Sequence, residues 1–190
     1  MSVPRPPSHP LAALVRARRP DLQFEASVEG DVVVFLTAPA DVRVLAAFLH
    51  HDRDAAYDAF VDVTVVQSTV FTLVVCLASR AHDSRVQLRA VLDDDDPSFP
   101  TLTGIWRAAW SAERELWEMF GVTPTGHPSL RRALLPESFA GHPLLDRYRI
   151  HKAQLQVQPS AGPARVILSA AADVADQIVA PPAGLKAGDR

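Results

Sequence analysis

A single cysteine, Cys76, stands in 190 residues. That excludes an internal disulfide, a CxxC pair and any cluster held by cysteines of this chain. No run reaches the roughly 18 uninterrupted apolar residues that a membrane span requires. The nearest, Val63 to Ala78, is broken by Gln67 and Ser68. The opening MSVPRPPSHP has no apolar core of signal-peptide type, so a cytoplasmic location is expected. Charge of one sign is also scarce. The net charge is −3, with no basic excess to suggest nucleic acid as a partner. HExxH, GxSxG, GxGxxG and the P-loop are all missing, which leaves metalloprotease, hydrolase and nucleotide-binding readings without an anchor.

Prolines and apolar residues are plentiful. The chain carries 16 prolines and is 48% hydrophobic and 22% charged. At this length it can form one domain burying on the order of 70% of its unfolded surface. Residues 1–9 are proline-rich and expected to be mobile. Ser8 is placed to cap a first helix carrying Leu11, Leu14 and Val15, which runs into the Arg16–Arg19 cluster and stops at Pro20. Phe24, Ala26 and Val28 alternate with polar residues, and Glu29-Gly30-Asp31 is a turn signal. With Val32–Thr37 they predict a hairpin. Asp41 is a candidate N-cap for a second helix with Val42, Leu45, Phe48 and Leu49 on one face. Three strands follow. Their buried faces are read as Tyr57/Ala59/Val61/Val63/Val65, then Phe71/Leu73/Val75/Leu77, then Val86/Leu88/Ala90/Leu92. The order α-β-β-α-β-β-β predicts a two-layer α+β domain over residues 10–109, with helices on one face of the sheet. Asp93–Asp96 reads as a solvated loop in preference to a cation site, because it lacks EF-hand alternation and its glycine. A helical turn is expected around Ile105 and Trp106, with Trp106 in the core.

The stretch Trp110–Tyr148 is the most informative. Ala112, Leu116, Met119 and Phe120 form an apolar stripe of a short helix, with Glu113, Arg114 and Glu118 on the other side. Arg114 and Glu118 are an i,i+4 pair in its weaker orientation. Gly121 fits a left-handed helix stop. Beyond it Pro124, Pro128, Pro136 and Pro143 preclude regular structure. Residues 110–150 are therefore read as a helix followed by an extended docking segment that must lie against something else. His127 and His142 each precede a proline. Their spacing favours pinning a loop through backbone carbonyls over a two-histidine, one-carboxylate metal site with Glu113, Glu115 or Asp146. Arg131 and Arg132 suit pairing with Glu113 or Glu115, or clamping an anion. Cys76 reads as core. Residues 151–190 are an irregular, Ala- and Pro-rich extension. Ile167, Ala171, Val174 and Ile178 are spaced for one amphipathic helix there. Wrapping a partner and a weakly ordered end both remain open for this tail.

The composite E-R-E-x-x-(D/E)-M-F-G, G-H-P-x-L-R-R-x-L and G-H-P-L, in that order, resembles the signature of the C subunit of respiratory complex I. This 30-kilodalton subunit family also includes subunits of energy-converting hydrogenases. The matching positions are Glu113, Arg114, Glu115, Met119, Phe120, Gly121, Gly126, His127, Pro128, Leu130, Arg131, Arg132, Gly141, His142, Pro143, Leu144 and Tyr148. The resemblance implies the same element order with a mixed sheet. It also implies a non-catalytic, structural subunit in the peripheral arm of an NADH:quinone oxidoreductase, with no cofactor of its own. The complex would carry iron–sulfur clusters with FMN and quinone. Partners would be a hydrogenase-like large subunit and iron–sulfur subunits, with the membrane arm reached indirectly. The alternative implied is the equivalent subunit of a membrane-bound [NiFe] hydrogenase or formate-hydrogenlyase-like complex. A stand-alone metal-dependent enzyme is the third reading, and it predicts that His127→Ala abolishes metal binding and turnover together.

Overall fold

The computed structural model describes residues 9–146, 148, 154–158 and 165–169. The chain divides into two units. One takes residues up to Glu137 together with Gly141–Tyr148, and the other takes Ser138–Ala140 with the chain from Arg149.

In the first unit, α1 (Pro10–Arg18) starts with a proline at its first position. Its cap is His9, whose Nδ1 accepts from the Leu11 N–H at 3.2 Å. The expected cap, Ser8, lies outside the described residues. β1 (Phe24–Glu29) and β2 (Val32–Thr37) form the expected antiparallel hairpin around Gly30, whose φ of +64° suits a residue without Cβ. α2 (Val42–His51) buries Val42, Leu45, Ala46 and Leu49. Asp41 makes no side-chain cap here. A 3₁₀ turn at Pro39–Asp41 runs straight into the helix and holds Asp41 in helical geometry, where its carboxylate cannot turn back on the first amides.

β3 (Ala59–Gln67), β4 (Phe71–Ser79) and β5 (Ser84–Val91) complete a five-stranded sheet of order β1-β2-β5-β4-β3. β2 pairs with β5 in parallel and all other neighbours are antiparallel. The sheet is therefore mixed. Val33 and Phe35 of β2, Val63 and Val65 of β3, Leu73, Val75 and Leu77 of β4, and Val86, Leu88 and Ala90 of β5 share the buried face. Above them lie the apolar sides of α1 and α2, giving two layers. Full burial of each such Leu or Phe contributes roughly 2 kcal/mol. One strand departs from simple alternation. A bulge between Phe60 and Asp62 leaves Val61 57% exposed and turns Phe60 toward Trp106. Trp106 is buried, as expected, and its indole N–H donates to the Asp58 carbonyl at 3.1 Å.

β6 (Ser98–Pro100) leads to a turn in which the N–H groups of Ile105 and Trp106 donate to the Leu102 carbonyl. α3 (Ala109–Phe120) follows and ends at Gly121, at φ +76°. The chain after Gly121 is not wholly irregular. β7 (Thr123–Thr125) pairs in parallel with β6, with Phe99 opposite Pro124. So short a ladder has no periodicity to read, and its proline disguises it.

In the second unit, β8 (Gln154–Gln158) pairs antiparallel with β9 (Arg165–Ser169), Gln156 opposite Ile167. Ile167, expected to begin a helix, lies instead in a strand. β-branched Val166 and Ile167 favour extended chain, and QLQVQ has the strict two-residue alternation of a partner strand. The other positions of that helix, Ala171, Val174 and Ile178, lie outside the described residues.

Candidate functional site

α3 and the proline-rich strap that follows it form one construction. The helix holds the strap through the side chains of Arg114 and Glu118 and through its own backbone carbonyls.

The two carboxylates placed on the outer side by periodicity are both fully buried, Glu113 and Glu118 at 0% exposure. Glu113 accepts from the Leu102 N–H at 2.6 Å and the Thr101 hydroxyl at 2.5 Å. It fastens the turn before the helix to the helix itself. Desolvation pushes its pKa above the ordinary glutamate value. This outweighs the bonds from Thr101 and Leu102 and the charges of His127 and Arg43. Glu118 accepts from three consecutive amides, Ala133 at 2.8 Å, Leu134 at 3.0 Å and Leu135 at 2.6 Å. Burial pushes this carboxyl upward too, but the three amides and the charge of Arg132 prevail, and its pKa is lowered. Successive N–H groups converging on an anion make a nest, here filled from within the chain.

Arg114 makes no pair with Glu118. Its guanidinium donates to the carbonyls of Arg131 at 3.0 Å and Arg132 at 2.9 Å, so the residues that precede the nest are held by the same helix. Arg132 in turn donates to the Gly141 carbonyl at 2.9 Å and lies over the Trp117 ring, 5.7 Å from its centroid. Within the chain neither Arg131 nor Arg132 pairs with Glu113, which is taken up by Thr101 and Leu102, or with Glu115. Arg131 and Glu115 are exposed.

Both histidines pin the strap to backbone carbonyls of α3. The His127 Nε2–H donates to Trp110 O at 3.1 Å while its Nδ1 accepts from the Ser129 N–H at 3.1 Å. The His142 Nδ1–H donates to Glu118 O at 3.1 Å. The end of a helix leaves four carbonyls without helical partners. Three are closed here, Trp117 O by the Gly121 N–H, Glu118 O by His142 and Met119 O by the Leu144 N–H. Gly121 is required twice, by its positive φ and because a Cβ would come within 2.9 Å of the His142 ring. Gly141, at φ +86°, likewise faces Tyr148, 2.6 Å from where a Cβ would stand. Gly126 has φ +82° beside Thr101. The far end of the strap is tied to the sheet. The Gln67 amide donates to Leu144 O at 2.7 Å and accepts from the Asp146 N–H at 3.0 Å.

The remaining expected positions divide cleanly. Met119, Phe120, Leu130 and Pro143 are half-buried, while Pro128 and Leu144 are exposed, Leu144 at 54%. Leu134 stands out further still, at 64%. Thus the segment expected to lie against something else lies against its own helix, with a few side chains turned outward. Sequence reasoning gave no tethering role to Glu118, Gln67 or Thr101. A signal for the first was present. Three amides stand before Pro136 in a stretch that can form neither helix nor sheet, and these need an acceptor. Among the described residues no three of His, Cys, Asp and Glu come together to hold a metal ion. Nor is any described helix long and apolar enough to cross a membrane.

Fold and site together define the class, a two-layer α+β domain with a mixed sheet, closed by a helix around which a proline-rich strap is tied. Residues 35–154 match the model of the respiratory-chain NADH dehydrogenase 30 Kd subunit, and the chain belongs to that family. The NADH-quinone oxidoreductase C subunit of Roseiflexus sp. (strain RS-1) is 36% identical over 135 residues, covering 68% of this chain and 77% of the relative. The C/D subunit of Methylococcus capsulatus is 32% identical over 133 residues, 64% of this chain but 23% of that longer one. Among solved structures, the trypsin-resistant fragment of Nqo5 has a TM-score of 0.50 at 24% identity, covering 62% of this chain and 96% of the fragment. A chain of the membrane-bound sulfane sulfur reductase, an archaeal respiratory membrane complex, reaches a TM-score of 0.57 at 19% identity over 67% of this chain and 77% of that one. These two show the shared fold.

Proposed function

We propose that this chain is a non-catalytic, structural subunit of the peripheral arm of a complex I-type NADH:quinone oxidoreductase. It supports electron transfer to quinone coupled to proton translocation by holding cofactor-bearing neighbours in place, on the cytoplasmic side of the membrane. The observation that carries this reading is the division of the strap. Many of its polar groups are tied to α3, and its far end to Gln67 of the sheet, while Arg131, Leu134 and Leu144 are presented outward. A pre-ordered ribbon loses little entropy on docking. Large apolar side chains held out on such a ribbon are what an interface needs at its centre. The docking segment in this reading is the extended part of residues 110–150 that follows the helix, with the α+β body as its support. The Methylococcus relative, whose name joins C and D in one chain, supports a D-type neighbour as the partner.

The test is purification of the intact complex through a tag on this chain. NADH oxidation, iron–sulfur clusters and FMN in the copurifying subunits, with a large partner lacking a nickel–iron site, are expected. A large partner binding nickel and iron through cysteines would assign the chain to an energy-converting hydrogenase instead. Stoichiometric metal on the isolated chain, lost with turnover in His127→Ala, would overturn both readings.

A further inference from the structure

A groove with a volume of about 640 Å³ opens beside the first turn of α3, lined by Thr103, Gly104, Arg107, Trp110, Ser111 and Pro128. Its charge is of one sign. The Arg107 guanidinium is exposed and, like those of Arg53, Arg85 and Arg131, makes no side-chain hydrogen bond or ion pair with any described residue, whereas Arg18, Arg19, Arg80 and Arg89 are ion-paired. A second guanidinium underlies the groove. Arg43 donates to the Thr101 carbonyl at 2.8 Å, and its other terminal nitrogen lies 3.0 Å from where a Cβ on Gly104 would stand. No carboxylate is among the lining residues. Glu113 is enclosed beneath by Thr101 and Leu102, and Glu115 lies one turn further along α3 from Ser111. The apolar wall is Trp110, which is 39% exposed and backed by the His127 ring at 5.1 Å. Trp and Arg side by side in a concavity are the residue types that dominate binding energy at protein interfaces. Pro128 makes the groove continuous with the outward side of the strap.

We propose that this groove receives a short acidic segment of a neighbouring subunit, its carboxylate held by the Arg107 fork and an adjoining apolar side chain laid on Trp110. The assignment rests on the docking reading above and extends it to a second contact on the body of the domain. An uncommitted guanidinium recognises a carboxylate through two parallel hydrogen bonds, a geometry that lysine cannot reproduce.

The test uses the assembled complex carrying a photoreactive benzoyl-phenylalanine at Ser111 or, in a separate preparation, at Leu134. The Ser111 probe is expected to crosslink to a peptide of a neighbouring subunit with Asp or Glu within a few residues of the adduct. Arg107→Glu should lower that yield at least tenfold, and Arg107→Lys by a smaller factor. Crosslinking from Leu134 but not from Ser111 would overturn the groove assignment while leaving the docking reading intact. An adduct from Ser111 to a segment without acid, to this chain's own tail or to a small molecule would overturn it equally. Absence of crosslinks from both positions would sink the docking reading and this inference with it.

Discussion

Glu118 shows what a single side chain does in this protein. Its carboxylate replaces water for three strap amides at once, so Glu118→Ala leaves three donors without their acceptor. A loss of about 3 kcal/mol or more is expected from equilibrium urea unfolding. Hydrogen exchange should rise at residues 133–135 while β4 and β5 stay protected. Glu113 behaves in the opposite sense with pH. Its folded pKa is raised, so the folded state binds the proton more tightly. Stability is therefore lost as pH climbs from the ordinary glutamate value, about 4.3, through the folded one. Glu113→Gln removes that slope, so the variant should gain on the native chain as pH is raised from about 4 to about 8. A constant difference between the two urea midpoints across that range would refute this. The role of Glu113 left no trace in the sequence, and that of Glu118 only an indirect one, the three amides ahead of Pro136 that need an acceptor. Helical periodicity sorts residues by their preference for water, and a carboxylate is buried only when specific donors arrive from elsewhere in the chain. Those donors, Thr101, Leu102 and residues 133–135, belong to segments with no period of their own.

Elements were easier to read than the bonds that fasten them. The apolar stripe of α3 and its stop at Gly121 are visible in the spacing of Leu116, Met119 and Phe120 and in the glycine. So are the β1–β2 hairpin and the alternation in β4 and β5. Several misread details share a cause. Unlike the 3₁₀ turn ahead of α2, which is closed locally by the Asp41 and Val42 N–H groups, the bulge at Val61 and the β6–β7 ladder are set by pairing with strands distant in sequence. The strap follows the same logic, because its shape depends on where His127 and His142 find carbonyls. At this scale Gly121→Ala is the sharpest probe. It should cost about 1–2 kcal/mol for the left-handed backbone alone. It should also displace His142, visible as a shift of that ring's NMR signals toward solvent-exposed values. An unmoved His142 would show that the ring does not rest against the helix stop.

For the molecule as a whole, the proposed docking should be separable from folding. Leu134→Asp and Arg131→Ala alter groups that face outward, so the isolated chain should keep its melting temperature within about 1–2 °C while incorporation into the complex falls, as read by comigration on native gels. His142→Ala should behave differently, since it opens the end of α3. Both melting temperature and incorporation are expected to fall. Equal incorporation of Leu134→Asp and the native chain would remove the strap from the interface.

The placement of β5 between β2 and β4 has a further consequence. β3, β4 and β5 follow one another along the chain and close by short turns. The β1–β2 hairpin, made before them on the ribosome, meets its next neighbour in the sheet some fifty residues later. Until then its inner edge is an unfilled seat for any passing strand. The nascent chain is accordingly most vulnerable to mispairing in the interval before Val86 and Leu88 emerge, and a chaperone that shields it has its natural moment there.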